Sequence, residues 1–315
     1  MLSAIDIKHS ASAAGFDLCG IVPCRHLEEA ERRFRAWLAE GCQAGLHYLE
    51  RNLDKRFDLR RLVDGAQCAV VCAVNYKNPF SLGYPAAWET KIASYALNGD
   101  YHASIKRMLL TMLKELTDRS PALRGRAFTD SAPVVEKWLA CEAGLGWAGR
   151  QSLLITPQFG SFVLLGELVL TEPCDRYDEP FGPPRCGSCR ACVEHCPNGA
   201  IRHDRTLDAS RCISCHTIEN AAGDPPHDLH GWLFGCDLCQ SCCPYNWHTP
   251  LASNPAFRPV VDPLRYDRER WLTMSDEEFR TLFGSTPLTR SGLERIRQNL
   301  ERQHIEHQRP PQPRP

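Results

Sequence analysis

The chain has 315 residues, a formal net charge of -1 and 17 cysteines. This charge balance excludes a globally basic nucleic-acid binder, although a local basic patch stays possible. No apolar run reaches the length of about 18 residues that a membrane span needs, and the N-terminus lacks the pattern of a secretory signal. We therefore expect a cytoplasmic protein whose cysteines do not form a disulfide framework.

The first 172 residues alternate between helix and strand patterns. Apolar residues at helical spacing predict helices over 5–14, 26–40, 101–117 and 132–143, the last with Ser131 as its cap and Pro133 in its first turn. Apolar runs predict strands over 16–22, 68–74, 152–155 and 161–170. The run 68–74 is apolar throughout, as in a strand buried on both faces. This mixture predicts an α/β sandwich with a mixed sheet.

Composition changes after this region divide the rest of the chain. Proline, aspartate and glycine in 173–184 predict a linker, and a cysteine-rich module follows up to about residue 250. Helical patterns return over 268–274, 276–283 and 290–302, before a proline-rich tail that cannot build a core. We therefore predict four parts: an α/β domain over 1–172, the module over 173–250, a helical segment over 251–308 and a disordered tail over 309–315.

Ten of the cysteines lie between Cys186 and Cys243. The first four have the C-x2-C-x2-C-x3-C-P spacing of bacterial ferredoxins: Cys186, Cys189, Cys192 and Cys196. Three thiolates two residues apart can surround one corner of a cubane cluster. The fourth, placed before a proline, binds the other cluster in two-cluster proteins.

The second half of the module supplies Cys236, Cys239 and Cys243, which precedes Pro244. One more ligand must come from elsewhere, and Cys212 is the best candidate. We therefore predict two 4Fe-4S clusters. The first is held by Cys186, Cys189, Cys192 and Cys243, and the second by Cys196, Cys212, Cys236 and Cys239. By spacing, Cys242 could replace Cys243, although the proline favours Cys243. Spacing does not decide between Cys212 and Cys215.

Zinc is the alternative occupant of this module, because paired C-x2-C motifs also build zinc ribbons. Eight cysteines in register with two Cys-Pro steps favour iron–sulfur clusters. Two clusters form a short path for electrons and do not say what is reduced. A free-standing ferredoxin would not need the long preceding domain, so we expect the electron acceptor site in residues 1–172.

The segment 129–170 combines Asp130 with many glycines. Taken alone, Asp130 fits a helix cap, a common role of aspartate before a helix. The glycines could let the backbone approach a flat or bulky ligand closely. The segment has no G-x-G-x-x-G after a strand, so a dinucleotide fingerprint is not supported.

Several motifs together resemble the epoxyqueuosine reductase family, over roughly residues 1–302. They are DSAPVVEKWLACEAGLGWAGRQS from Asp130, GSFVLLGEL from Gly160, the two-cluster module, KIASY from Lys91, GDYH from Gly99, TIEN over 217–220 and FGSTPLTRSGLERIRQNL from Phe283. The resemblance implies a nitroreductase-like, cobalamin-binding α/β sandwich followed by a ferredoxin-like module and C-terminal helices. It implies reduction of the epoxide of epoxyqueuosine to queuosine at the tRNA wobble position, the last step of queuosine biosynthesis.

The resemblance also implies site residues and cofactors. Base-off cobalamin would be reduced through the two clusters, and Asp130, with a raised pKa, would protonate the departing epoxide oxygen. Motif matches suggest Arg56, Asp130, Ser152, Ser161 and Thr217 as cobalamin contacts. An external low-potential donor would supply the electrons, and a monomer is the default expectation.

Two basic patches could contact the tRNA phosphates. One contains Lys55, Arg56, Arg60 and Arg61. The other contains Arg290, Arg295, Arg297, Arg302, Arg309 and Arg314. A solvated charged surface explains the second patch equally well.

Two other functions compete with this reading. A corrinoid iron–sulfur reductase could act on a small molecule such as an organohalide, but those enzymes commonly carry a twin-arginine signal that is not found here. A non-catalytic two-cluster electron carrier would not need the elaborate first domain.

Overall fold

A computed structural model describes residues 1–219 and 228–308. Asn220 and the predicted tail from Arg309 lie outside the described residues. In the described part of the chain, no helix is both long and apolar enough to cross a membrane.

The first domain is built on a four-stranded sheet with the order β1-β2-β7-β4. The strands are β1 Leu18–Pro23, β2 Cys68–Asn75, β4 Gly125–Phe128 and β7 Val163–Leu170. Every pairing in this sheet is antiparallel, so the predicted mixed sheet is wrong. All eight residues of β2 are buried, as expected for a central strand covered on both faces.

Four helices cover the two faces of this sheet. One face packs on α1 Ala4–Ala14 and α4 Tyr101–Arg119, and the other packs on α2 Glu28–Ala39 and α5 Glu136–Glu142. Along β2, even-numbered residues face the first core layer and odd-numbered residues face the second. A short α3, Leu53–Arg56, follows α2.

The predicted helix over 132–143 begins later than expected, at Glu136. Ser131 does not cap it, and Pro133 lies before its first turn, because residues 129–135 form a loop instead. Val135 is the cap residue and makes no side-chain cap hydrogen bond. Asp130 therefore does not act as the cap of this helix.

Short elements complete the described part of the chain. The small strands are β3 Lys91–Ile92, β5 Trp147–Ala148, β6 Leu154–Ile155 and β8 Trp232–Phe234. The module contains α6 Ala191–His195, α7 Ile213–Ile218, α8 Leu238–Ser241 and α9 Pro244–Trp247. The C-terminal helices are α10 Arg268–Thr273, α11 Asp276–Phe283 and α12 Gly292–Gln308.

The C-terminal segment packs on both preceding parts. Trp271 and Phe283 share a core cluster with Leu97 of the first domain and Phe234 of β8. The segment 173–184 is also held in place, because Asp178 accepts a hydrogen bond from the backbone N–H of Ile21 at 2.8 Å. The domain borders at 172/173 and 250/251 stay predictions.

Candidate active site and cluster module

Asp130 lies in the loop that follows β4, with a positive φ of 54°. Its Oδ2 is 2.9 Å from the hydroxyl of Tyr101 and 2.9 Å from Nε2 of His102. The side chain is still 44% exposed, so one side of the carboxylate can meet a substrate. These contacts bring together the first turn of α4 and the predicted proton donor.

His102 lies between two aspartates. Its Nδ1 is 2.9 Å from Oδ1 of Asp100, which caps α4, and its ring stacks on Tyr101 with 4.0 Å between centroids. The hydrogen bond to Asp130 is the largest of the effects that raise the pKa of His102. The imidazolium form is therefore stabilised.

The same contact holds the pKa of Asp130 below its ordinary value. The hydrogen bond from His102 is the largest cause, and the charge of Arg290 adds to it. The raised pKa expected for Asp130 is therefore wrong for this arrangement. The imidazolium form of His102 and the carboxylate form of Asp130 therefore stabilise each other.

The glycines of the segment 129–170 make room for protein rather than for a ligand. A Cβ on Gly146 would lie 2.1 Å from the carbonyl oxygen of Ile155, and one on Gly160 would lie 1.9 Å from Oδ1 of Asn246. Neither distance is possible for a side chain. The expected close approach exists, but at these two positions its partner is the chain itself.

The cysteines assigned to the first cluster gather in one place. Cys243 is buried, and burial together with the nearby thiols of Cys192, Cys186 and Cys189 raises its pKa to about 11. Cys242 also faces Cys192, Cys243 and Cys189. The neighbourhood therefore contains all four predicted ligands, and Cys242 lies beside them.

The cysteines assigned to the second cluster form a separate group. Burial raises the pKa of Cys239 well above its ordinary value, and the thiols of Cys236, Cys212 and Cys196 raise it further. Cys215 faces Cys212 and Glu219 instead. This placement supports Cys212 as the ligand.

Such concentrated thiols fit iron–sulfur clusters, since bound iron stabilises thiolates that would otherwise repel each other. Cys189 is exposed, whereas Cys236 and Cys239 flank the buried Asp237. Tyr95 interacts with both Asp237 and Asp130. The first group of cysteines therefore reaches solvent at Cys189, and Tyr95 links the neighbourhood of the second group to the candidate active site.

The predicted cobalamin contacts differ in what they offer a ligand. Arg56 is buried over the ring of Phe34, and its Nε has no hydrogen-bond partner among the residues that the structure describes. Burial lowers the pKa of Arg56, and Tyr48 offsets this lowering in part. A buried guanidinium with a free donor fits a ligand that brings an acceptor.

The predicted hydroxyl contacts are engaged within the chain. Ser152 donates to the carbonyl of Arg205 at 2.6 Å, and Thr217 donates to the carbonyl of Ile213 at 2.9 Å. Ser161 donates to Oε1 of Gln240 at 3.1 Å. As cobalamin contacts, these three residues stay predictions.

A buried polar seam joins the first domain to the module. It consists of Tyr76, Ser161, Gln240 and Asn246. Asn246 accepts from the backbone N–H of Ser161 at 2.7 Å and donates to the Ser161 hydroxyl at 2.9 Å. Lys77, also buried, donates to the carbonyl of Asn246 at 2.6 Å. The seam fixes the module relative to β7.

Much of the predicted basic surface is engaged internally. Arg290 pairs with Glu219 at 2.6 Å, and Arg295 donates to the carbonyl of His216 at 2.8 Å. Arg60 pairs with Asp58 at 2.8 Å. These arginines stabilise the chain's own fold, so neither patch offers all of its charges to phosphate.

Sequence reasoning assigned no role to Tyr101 and His102. The GDYH motif from Gly99 is part of the family resemblance, but only the fold shows that α4 starts beside the loop of Asp130. A histidine two residues after a helix-capping aspartate is the signal in the sequence, and alone it is weak.

A reactive acid–base pair and two four-cysteine groups on one α/β framework define an iron–sulfur oxidoreductase. Residues 185–246 match the family model of a 4Fe-4S double cluster binding domain, and residues 56–131 match that of epoxyqueuosine reductase QueG, DUF1730. The epoxyqueuosine reductase of Cyclobacterium marinum is 38% identical over 93% of this chain and 94% of its own. That of Cellulophaga algicola is 35% identical over 94% and 96%.

Solved structures agree with these relatives. A crystal structure of epoxyqueuosine reductase with an epoxyqueuosine-modified tRNA-Tyr stem loop has a TM-score of 0.84 and 25% identity, over 95% of this chain and 80% of that one. The chain belongs to the epoxyqueuosine reductase family.

Proposed function

We propose that this protein reduces the epoxide of epoxyqueuosine to queuosine at the wobble position of tRNA. The observation that carries the proposal is the partly exposed carboxylate of Asp130, bonded to His102 and Tyr101 on the side of the molecule that the second cysteine group faces. Loss of the epoxide oxygen as an alkoxide is difficult, and a positioned acid assists it.

The proton would come from the pair formed by His102 and Asp130. His102 holds the proton at Nε2, and Asp130 presents its carboxylate both to that nitrogen and to solvent. As the epoxide opens, the growing charge on oxygen draws the proton from the pair. Asp100 supports His102 from Nδ1 and keeps its ring in this orientation.

The residues present fit the cofactors that the family resemblance implies. We propose the two groups of four cysteines as ligands of two 4Fe-4S clusters, and Arg56 as a contact of base-off cobalamin. When bound, cobalamin would supply low-valent cobalt as the reductant. Asp130 would face its reactive side, while Ser152, Ser161 and Thr217 would need to exchange their present partners to contact it.

The positions of the cysteine groups indicate the direction of electron transfer. An external low-potential carrier would deliver electrons at the exposed Cys189, and the partly buried second group would pass them toward Asp130. Arg185 and Arg190 lie exposed beside Cys189, which favours an acidic carrier. We expect the protein to be cytoplasmic, because its tRNA substrate is found in the cytoplasm. A monomer is the default expectation for its oligomeric state.

The test is anaerobic. Reconstituted protein, cobalamin, a strong reductant and tRNA bearing epoxyqueuosine are incubated, and digested nucleosides are analysed for queuosine. Asp130→Asn should keep its iron content yet lose turnover by about 10²- to 10⁴-fold, the usual worth of a general acid. Asp118→Asn, an exposed aspartate of α4, is the matched control. Absence of queuosine from iron-loaded, cobalamin-bound protein would refute the function.

A further inference from the structure

A second carboxylate lies beneath the loop of Asp130. Glu167 is in the middle of β7, is fully buried, and pairs with Phe128 and Val71 of the neighbouring strands. Its neighbours two residues away, Leu165 and Val169, belong to the apolar layer under α5. Neither of its carboxylate oxygens has a donor among the described residues. An ionised carboxylate in this place would be very unfavourable.

The neighbour that Glu167 does have is another carboxylate. Glu136, the first residue of α5, lies within hydrogen-bonding reach of Glu167. Two carboxylates cannot bond to each other unless one carries a proton. Burial raises the pKa of both groups. The charge of Glu136 and its hydrogen bond raise the pKa of Glu167 further, whereas the same hydrogen bond lowers the pKa of Glu136, so the shared proton belongs mainly to Glu167.

Glu136 also reaches the catalytic loop. Its Oε1 accepts a hydrogen bond from the backbone N–H of Asp130 at 2.5 Å. Asp130 has a left-handed φ of 54°, a conformation that is unfavourable for most residues with a Cβ, although aspartate adopts it more readily than most. A bond from a backbone N–H to a carboxylate is short and strong.

We propose that Glu136 and Glu167 share one proton, and that this pair is the fixed support from which Glu136 holds Asp130 in its left-handed conformation. The inference rests on the proposed function, since it concerns the orientation of the Asp130 carboxylate toward the substrate. Glu136 touches the backbone of Asp130 and not the reacting atoms, so it is a positioning residue. Glu167 anchors Glu136 to the centre of the sheet.

The surrounding groups are consistent with one shared proton. The titratable groups facing the pair are Asp130, Lys137, Tyr101 and Cys72. Within residues 1–219 and 228–308, Lys137 is the cation that acts on Glu136, and no cation acts on Glu167. One negative charge remains on the pair, and the Asp130 N–H and Lys137 stabilise it.

The first arm of the test compares two substitutions at Glu136. Gln in place of Glu can accept from the Asp130 N–H and donate to Glu167, so Glu136→Gln should rescue the position without a shared proton. Glu136→Ala removes the hydrogen bond to the backbone N–H of Asp130. We expect kcat to fall by about 10- to 100-fold with KM little changed, because the carboxylate of Asp130 is then misoriented. Glu142→Gln, on the same helix and paired only with an exposed arginine, is the control.

The second arm does not depend on turnover. Infrared difference spectra at mildly acidic pH should show the carbonyl stretch of a protonated, buried carboxylic acid. The band should be unchanged in the Glu142→Gln protein and should shift in frequency in Glu136→Gln, because an amide then replaces the carboxylate that shares the Glu167 proton. A wild-type protein without this band, or Glu136→Ala with the kcat of the control, overturns the proposal. A protein with the band but no epoxide reduction would overturn the proposed function alone.

Discussion

Gly160 packs where the cluster module meets β7, and its replacement by alanine should loosen that contact. A Cβ there would lie 1.9 Å from Oδ1 of Asn246 and 2.7 Å from the carbonyl oxygen of Tyr245. Both atoms belong to the short helix α9, for which Cys243 is the N-terminal cap residue. Gly160 also has a φ of +63°, which disfavours any side chain.

Two costs add in Gly160→Ala. The left-handed conformation costs a non-glycine residue about 1–2 kcal/mol. Overpacking against a buried neighbour costs about 1–3 kcal/mol more, because Asn246 cannot move without breaking its bonds in the polar seam. Gly41→Ala is the matched control, since Gly41 has a φ of +71° and open space around its Cβ position. We therefore expect only the conformational cost from the control.

The assay is thermal unfolding of both variants with clusters loaded, together with iron per chain. Gly160→Ala should unfold well below Gly41→Ala, and it should lose iron faster under air because Cys243 is displaced. Equal unfolding temperatures for the two variants would show that the crowding at Gly160 is not real. Equal iron retention would show that the start of α9 does not hold a cluster ligand.

Three further outcomes are expected. Cys212→Ser should lose about half of the bound iron, whereas Cys215→Ser should keep it, as measured by iron content and visible absorption. His102→Gln should reduce the rate by about 10²-fold or more. It should also remove the fall in rate that the wild-type protein shows as pH rises through the raised pKa of His102. An unchanged pH–rate profile would contradict proton donation by the pair of His102 and Asp130. Arg185→Glu should slow reduction of the clusters by an acidic flavodoxin at low salt, in stopped-flow absorbance, and Arg107→Glu on α4 should not.

The cysteine pattern was the most predictable feature of the chain. Its spacing is set by the geometry of a cubane cluster, so short-range sequence carries nearly all of the information. The choice between Cys212 and Cys215 could not be predicted in the same way, because both cysteines lie between Cys196 and Cys236 and spacing fits either of them. Only the fold of α7 shows which thiol faces Cys236.

The loop of Asp130 was predicted less well than the cysteine pattern, for a physical reason. Ser131 and Pro133 have the local chemistry of a helix start, but Asp130 is held back by contacts from α4 and α5. Tertiary hydrogen bonds outweighed the local capping preference. Strand direction failed similarly, since apolar runs report burial and not the direction of the partner strand.

The polar seam has a consequence for how the protein matures. Gln240 lies in α8 between Cys239 and Cys242, and Asn246 lies in α9 three residues after Cys243, so the amides that complete the seam belong to the segments that carry the predicted cluster ligands. Before iron is inserted, we expect those segments to be unsettled and the end of β7 to lack its partners. Insertion of iron would then be the step that completes the contacts of the first domain, which contains the candidate active site. A chain that has lost its metal would then lose structural order and activity together, and it would not persist as a partly folded enzyme with an exposed reactive site.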